Sequence, residues 1–150
     1  MSAQPPNSQA QAQVPARALD ALQPLLASIP YLQRMGYTFS LTGEQLQGLM
    51  PYAEHVVGNP AVPALHGGAI GSLLQTTASV QLMLAIRSQR LPRLFSCTVE
   101  YLRSARLIDV QAAAVVVTRS RRFANVRATA WQDRADQPIA VATLQFVLVD

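Results

Sequence analysis

The sequence predicts an α+β fold in which one antiparallel sheet wraps around a long central helix. Three observations lead to this prediction. No Asp, Glu, Lys or Arg occurs from His55 through Ile86, which is typical of a helix without a solvent-facing side. The last third of the chain alternates apolar and polar residues, as strands do. The 150 residues, half of them hydrophobic, suffice for one domain with a sizeable core.

The first half of the chain is predicted to begin with a helix and a hairpin. Residues 17–29 place apolar side chains at helical spacing, and Pro24 within them predicts an interruption or a bend. Residues 36–41 and 45–50 have the composition of two short strands joined by a tight turn. Residues 51–63 contain three prolines and are predicted to form a loop.

The central segment, residues 66–89, is predicted to be the buried helix. Its length also raises the question of a membrane span, which needs about 20 apolar residues. Polar side chains in the middle of the segment exclude that interpretation, because they are expensive in lipid. These side chains are Ser72, Gln75, Thr76, Thr77, Ser79 and Gln81.

Four strands are predicted to follow the helix, at residues 93–103, 108–118, 123–131 and 138–149. In the third strand, small side chains occupy every second position, three of them alanine. A face of this kind suits close packing against a helix. The order of helix, two strands, helix and four strands therefore favours one antiparallel sheet.

The tail and the cysteine content suggest where the protein works. Residues 1–16 lack charge and periodicity, so we predict a disordered tail before a single domain at residues 17–150. The tail has neither the basic nor the apolar region of a secretory signal, so we expect a cytoplasmic protein with Cys97 reduced. One Cys and two His exclude a disulfide scaffold and a Cys/His zinc site, and no metal is expected.

The basic charge of the chain is modest. All twelve cations are arginines, and the net charge is +4. No basic run is longer than Arg121-Arg122, whereas nucleic-acid binders concentrate charge on one stripe or carry a known module, so we predict no nucleic-acid partner. Arginine suits bidentate contacts with phosphate, which keeps a phosphorylated small molecule as a candidate ligand.

The most informative motif is His-Gly-Gly at residues 66–68, where the buried helix begins. Asn59 precedes it by seven residues, and the segment Glu-Tyr-Leu-Arg-Ser-Ala at residues 100–105 follows the helix. Together these residues resemble the hotdog-fold acyl-CoA thioesterases of the PaaI-like (4HBT) type, over about residues 17–149. The resemblance implies a hotdog fold, an acyl-CoA substrate, a homodimer or homotetramer, and no cofactor beyond the coenzyme A of the substrate.

The glycines of the motif have a physical role of their own. At a helix start, Gly67 and Gly68 leave N–H groups unpaired and let a ligand approach the backbone. Such donors can polarise a thioester carbonyl, and the resemblance assigns this role to the Gly67 N–H. The alternative is that the glycines only permit a tight turn. Asn59 is predicted to donate a second hydrogen bond or hold the water, or else to stabilise a turn. His66 is a candidate base or a structural residue at the helix start.

The sequence departs from the family on the central helix. Relatives carry an Asp or Glu nine residues after the motif His, as base or nucleophile, and this chain has Gln75 there. Spacing places Gly68, Ser72, Gln75 and Ser79 on one helical face, which we predict to line the substrate pocket. A neutral amide cannot take a proton at pH 7, although Gln75 can orient a water or a substrate carbonyl.

Other residues bear on the missing acid. Leu94 stands where many relatives supply a Ser or Thr to the partner subunit's site, and Ser96 is expected to share its strand face and could substitute. Glu54 and Glu100 are the acids that a folded chain could bring to the pocket. We favour the simpler interpretation of both as solvated surface acids.

Arginines at predicted turns are candidates for binding the phosphates of coenzyme A, with ordinary turn charges as the alternative. They are Arg103, Arg119, Arg121 and Arg122. Phe123 and Trp131 are candidates for a subunit contact. The resemblance thus implies hydrolysis of an acyl- or aryl-CoA thioester, with a non-catalytic acyl-CoA binding protein as the alternative. A hotdog dehydratase is disfavoured, because its helix pattern of His plus acid is missing.

Overall fold

A six-stranded antiparallel sheet covers one long helix in the computed structural model, which describes residues 16–149. The helices are α1 (Ala16–Ala27), α2 (Pro30–Met35) and α3 (Gly67–Ile86), and a 3₁₀ turn occupies Glu54–Val56. The strands are β1 (Thr38–Thr42), β2 (Gln45–Met50), β3 (Arg93–Tyr101), β4 (Val110–Arg119), β5 (Phe123–Trp131) and β6 (Ala140–Val147). Their order in the sheet is β1-β2-β4-β5-β6-β3, and every neighbouring pair is antiparallel. The α+β prediction is confirmed.

The predicted tail at residues 1–16 lies outside the described residues, apart from Ala16, where α1 begins. Asp150 lies outside them as well. The loop predicted at residues 51–63 contains the 3₁₀ turn at Glu54–Val56.

The helix predicted at residues 17–29 is present as α1, but the interruption predicted at Pro24 is wrong, and the second helix, α2, follows the predicted range. Pro24 does not interrupt α1. It lies exposed in the last turn, where its missing N–H deprives only one solvent-side carbonyl of a partner. The break comes before Pro30, which starts α2 and whose fixed φ suits a helix start. Gly36 ends α2 in the left-handed conformation, with φ of 70°.

Helix α3 is the core of the fold and packs against β2, β3, β4, β5 and β6. Leu73, Leu74, Leu82 and Met83 are fully buried in it. Alternate residues of β5 and β6 face the helix, and the predicted alanine face of β5 is buried. By length and composition α3 could cross a membrane, but 61% of its apolar window is buried inside the fold. It is therefore a core helix.

Strand β3 forms one edge of the sheet and carries a bulge near its start. Leu94 lies opposite the buried Phe146, whereas Ser96 lies opposite Gln145 on the outer face. Paired residues point to the same face of a sheet, so Leu94 and Ser96 point to opposite faces. The expectation that Ser96 shares the face of Leu94 is wrong, because the extra residue at Phe95 shifts the alternation.

Beyond the bulge, β3 follows regular alternation. Val99 and Tyr101 lie opposite the buried Ala142 and Ala140, so they point towards α3. Glu100 points to the outer face of the sheet. The inner face of β3 thus lies over the N-terminal half of α3.

Candidate active site

The N-terminus of α3 has one backbone donor without an acceptor. His66 caps the helix, and its Nδ1 accepts a hydrogen bond from the Gly68 N–H at 2.9 Å. The His66 carbonyl accepts from the N–H groups of Ala69 and Ile70 at 3.1 and 3.3 Å. The Gly67 N–H donates to no acceptor within residues 16–149. Because the helix dipole is positive at this end, the Gly67 N–H can bind an oxygen that carries partial negative charge.

The carbonyl of the same glycine is held by the sheet. The hydroxyl of Tyr101, the last residue of β3, donates to the Gly67 carbonyl oxygen at 2.6 Å. A Cβ added to Gly67 would lie 3.3 Å from the Tyr101 ring, and one added to Gly71 would lie 3.2 Å from its hydroxyl oxygen. The two glycines, one helical turn apart, therefore make room for the tyrosine.

A cleft of about 410 Å³ lies beside this donor, and we call it the Gly67 cleft. Its walls are the start of α3 and the segment that follows β3, from Tyr101 to Ala105. Arg103 is the one charged residue in this lining, and its guanidinium also donates to Gln137 Oε1 at 3.4 Å. The cleft thus combines a backbone donor with a cation that suits phosphate.

A second cleft, of about 470 Å³, lies farther along α3, and we call it the Gln75 cleft. Its polar wall is a stripe of α3 formed by Ser72, Gln75, Thr76 and Ser79. Apolar side chains of α1, of α2 and the link between them, and of the start of β3 contribute to the other walls, among them Leu26, Ile29, Leu32 and Leu94. No charged side chain lines this cleft. It therefore suits an uncharged, largely apolar group.

The hydroxyls in the polar stripe are engaged within the fold. Thr76 and Ser79 donate to carbonyls one turn earlier in α3, at 2.8 and 2.9 Å. The Ser72 hydroxyl lies 2.9 Å from the hydroxyl of Tyr37, which donates to the Ala69 carbonyl at 2.8 Å. Burial raises the pKa of Tyr37, so this hydroxyl keeps its proton. The Gln75 amide makes no hydrogen bond within residues 16–149 and remains available to a ligand.

The structure separates the residues that spacing placed on one face. Ser72, Gln75 and Ser79 line the Gln75 cleft, whereas Gly68 does not. The Gly68 N–H is occupied by His66. Asn59 lines neither cleft. Its Oδ1 accepts from the Ala61 N–H at 2.9 Å, which holds the turn before α3.

The four candidate arginines do not meet in one chain. Arg103 lines the Gly67 cleft. Arg119 donates to the carbonyl of Ala85 at 3.2 Å, at the C-terminal end of α3, and residues 121–122 follow it in an exposed turn. At 1.5 Å per residue, Ala85 lies about 27 Å from Gly67 along the helix.

Acidic side chains are absent from both clefts among the described residues. Asp133 and Asp136 pair with arginines. Glu54 is exposed in the 3₁₀ turn, and Glu100 points to the outer face of the sheet. Within residues 16–149, no group of three His, Cys, Asp or Glu side chains could hold a metal ion. The clefts therefore offer hydrogen bonds and one arginine, but no carboxylate base.

Sequence reasoning did not identify two tyrosines of the site. Tyr101 lies in the segment at residues 100–105, to which the sequence analysis gave weight without assigning the tyrosine a role. The sequence feature that could have indicated its contact is the pair Gly67 and Gly71, because glycines one helical turn apart indicate a close neighbour. Tyr37 reaches α3 across 32 residues of sequence, and no local pattern indicates such a contact.

Comparison with known proteins identifies the family of this arrangement. The sequence profile described as "Acyl-CoA thioesterase N-terminal domain" matches residues 58–147, more than half of the chain. No curated protein matches the chain significantly.

Solved structures resemble the chain over most of its length. A protein of Chromobacterium violaceum with a known crystal structure is 28% identical with a TM-score of 0.70, and the match covers 89% of this chain and 97% of that one. The E. coli PaaI protein of the phenylacetic acid degradation operon is 13% identical with a TM-score of 0.77, covering 91% and 96%. A thioesterase of Haemophilus influenzae is 20% identical with a TM-score of 0.74, covering 84% and 87%. The two more distant likenesses establish the shared fold.

Proposed function

The chain belongs to the hotdog-fold acyl-CoA thioesterase family, of the PaaI-like type, and we propose that it hydrolyses an acyl- or aryl-CoA thioester using the Gly67 N–H and Gln75. The observation that carries this proposal is the Gly67 N–H, which has no acceptor in the described residues and lies in a cleft. Coenzyme A enters as part of the substrate, and no separate cofactor is proposed. The proposed compartment is the cytoplasm, where the exposed Cys97 thiol would stay reduced.

The Gly67 N–H would polarise the thioester carbonyl and stabilise the oxyanion that forms when water attacks. Arg103, in the same cleft, would bind a phosphate of coenzyme A. Addition of water to the carbonyl carbon, followed by cleavage of the C–S bond, gives the free acid. The coenzyme A thiolate takes the proton that the water loses.

Gln75 would orient the attacking water through its unengaged amide. It cannot act as a general base, which typically contributes about 100- to 10,000-fold in rate, so we expect slow turnover. His66 and Asn59 remain candidates for the site, but the hydrogen bonds of both favour a role in holding the backbone around Gly67.

The two clefts require two chains to form one site. Gly67 and Gln75 lie eight residues apart on α3, a rise of about 12 Å. A carbonyl bound at Gly67 is therefore beyond hydrogen-bond reach of a water held by Gln75 of the same chain.

Edge strand β3 offers a route to the second chain. Its Tyr101 end lies over Gly67, and its Leu94 end lies at the Gln75 cleft. Antiparallel pairing of β3 with its copy would bring the Gly67 cleft of one subunit beside the Gln75 cleft of the other. We therefore propose a homodimer, which could pair further into a homotetramer, as the functional unit.

The Gln75 cleft supports an uncharged acyl group. Its walls are mostly apolar apart from the neutral stripe on α3, and a carboxylate or ammonium in the acyl chain would find no oppositely charged side chain there. Straight-chain and aryl acyl groups both satisfy this requirement.

A non-catalytic acyl-CoA binding protein is the second candidate. The observation that favours it is the absence of carboxylates from both clefts in the described residues. A site of this kind would retain affinity for acyl-CoA without turnover.

Steady-state hydrolysis of a panel of acyl-CoA esters, together with calorimetric binding, separates these functions. Hydrolysis of one or more esters that falls about 100- to 1,000-fold in Gly67→Pro supports the proposal. Gly67→Ala is the matched control, because both changes add a Cβ near Tyr101 but only proline removes the N–H.

Proline is acceptable to the fold at this position. Gly67 is the first residue of α3, and His66 has φ of −66° and ψ of 126°, the conformation preferred before proline. Tight binding without turnover would establish the binding protein instead, and neither binding nor turnover would reject both functions.

A further inference from the structure

The proposed reaction assigns no role to Tyr101. Its hydroxyl donates to the Gly67 carbonyl at 2.6 Å, although its side chain is at the exposed edge of the sheet. The ring lies against Gly67 and Gly71. The hydrogen bond is therefore directed at the very residue whose N–H would bind the thioester carbonyl.

We propose that Tyr101 is a positioning residue, which fixes the direction of the Gly67 N–H by holding the Gly67 carbonyl. This inference rests on the proposed function of the Gly67 N–H. It concerns the protein before any substrate binds.

The hydrogen bonds around Gly67 support this role. Two peptide groups meet at Gly67. The first consists of the His66 carbonyl and the Gly67 N–H, and the His66 carbonyl accepts from the N–H groups of Ala69 and Ile70. The second has its N–H bound by His66 Nδ1 and its carbonyl bound by Tyr101. Both peptide planes are thus held, and the one remaining polar group is the Gly67 N–H.

Glycine makes such support necessary. Two successive glycines at a helix start have more backbone freedom than any other pair, and first turns fray. A donor for an oxyanion must point in a fixed direction before the reaction, because reorganisation costs part of its benefit. A hydrogen bond from the sheet to the first helical residue supplies that constraint.

The contact with Tyr101 also explains why position 71 is a glycine. A Cβ at this position would lie 3.2 Å from the Tyr101 hydroxyl oxygen, closer than most real contacts. Gly71→Ala should therefore displace the hydroxyl from the Gly67 carbonyl. Alanine is the better helix former, so the substitution should not unfold α3.

The first test measures the kinetics of Tyr101→Phe, which retains the ring and removes the hydroxyl. We expect kcat to fall about five- to tenfold, the effect of one hydrogen bond of ordinary strength, with KM nearly unchanged. Tyr52→Phe is the matched control, because Tyr52 is also exposed but lines neither cleft. A rise in KM at constant kcat, or no change in either constant, would overturn the positioning role.

The second test combines the two positions. Gly71→Ala should lower kcat in the wild-type background but have less than half that effect in Tyr101→Phe, where no hydroxyl remains to be displaced. Equal effects in both backgrounds would show that Gly71 acts independently of Tyr101, against the proposal.

A third readout does not depend on turnover. Amide hydrogen exchange of Gly68, whose N–H is bound by His66 in the peptide group that Tyr101 holds, should quicken at least threefold in ligand-free Tyr101→Phe and stay unchanged in Tyr52→Phe. If wild-type protein shows no hydrolysis but this exchange change occurs, the proposed function fails while the positioning contact stands. Unchanged exchange rejects the positioning role, whether or not the protein is an enzyme.

Discussion

The first turn of α3 and the turn around Gln75, farther along the same helix, differ in how completely they are equipped for thioester chemistry. At the first turn, the Gly67 N–H is free, while His66 binds the neighbouring Gly68 N–H and Tyr101 binds the Gly67 carbonyl. In the polar stripe that lines the Gln75 cleft, the hydroxyls of Ser72, Thr76 and Ser79 are engaged within the fold, and the one unengaged group is the neutral amide of Gln75. One part can bind a carbonyl, whereas the other lacks a base.

The difference shows that backbone and side-chain functions are separable in this fold. The Gly67 donor depends on the helix start and on its neighbours, so it is unaffected by the residue at position 75. A base depends on one side chain and disappears with one substitution. The presence of the Gly67 donor therefore does not establish that a catalytic base acts at position 75.

Restoring a carboxylate should have the largest effect. We expect Gln75→Glu to raise kcat by about 100- to 10,000-fold, the usual value of a general base. Steady-state hydrolysis of the best acyl-CoA ester measures this. Gln23→Glu on the exposed side of α1 is the control for added charge and should leave the rate unchanged. An unchanged rate in Gln75→Glu, with binding intact, would mean that the Gly67 N–H and residue 75 do not act together in hydrolysing the thioester.

Loss of the cation in the Gly67 cleft should have an intermediate effect. We expect Arg103→Ala to weaken coenzyme A binding about 10- to 100-fold, as for a lost hydrogen bond to a charged group, and to leave kcat nearly constant. Calorimetry with coenzyme A tests this.

The control for Arg103→Ala is the double change Arg121→Ala and Arg122→Ala, at the far end of α3. We expect it to weaken binding less. A larger loss in the double variant would instead place the phosphates at the turn between β4 and β5.

Tyr37, which joins the two regions, should have the smallest effect. Its hydroxyl donates to the Ala69 carbonyl and meets Ser72 in the Gln75 cleft. Tyr37→Phe should lower the free energy of unfolding by about 1–2 kcal/mol at pH 7, because Ser72 and Ala69 lose a buried partner. Urea denaturation measures the loss.

The pKa of Tyr37 adds a pH dependence. Burial raises this pKa above the ordinary 10.0, so the folded state binds the phenol proton more tightly than the unfolded state does. This stabilisation is complete below pH 10 and is lost as pH rises above it, by up to about 1.4 kcal/mol per pH unit. Urea denaturation between pH 9 and 11 should show a shallower decline for Tyr37→Phe than for wild type. Equal slopes would contradict the assignment.

Local patterns predicted most of the fold. The uncharged segment predicted α3, and the alternation in residues 123–131 predicted a strand with its alanine face against the helix. The predicted C-terminal end of α3 is less accurate, because Arg87 ends the helix in the left-handed conformation and no glycine marks this end in the sequence. The bulge at Phe95 was also missed, since alternation alone does not show an inserted residue.

The candidate site was less predictable. The motif located Gly67, and helical spacing located Ser72, Gln75 and Ser79, because these relations are local. The hydrogen bond from Tyr101 joins residues 34 apart, and the separation of Arg103 from Arg119 depends on the whole length of α3. Such relations come from the tertiary fold and have no signal in a single sequence.

The central claim is that the carbonyl-binding part of one chain serves the Gln75 part of its partner. The most direct test mixes wild-type chains with chains that carry both Gly67→Pro and Gln75→Glu, and measures kcat of the purified hybrid dimer. Neither kind of chain contains both the Gly67 N–H and a carboxylate at position 75. We predict hydrolysis by the hybrid at least tenfold faster than by either parent dimer, because one of its sites joins the two groups across the interface. A hybrid no faster than the average of its parents would contradict the claim.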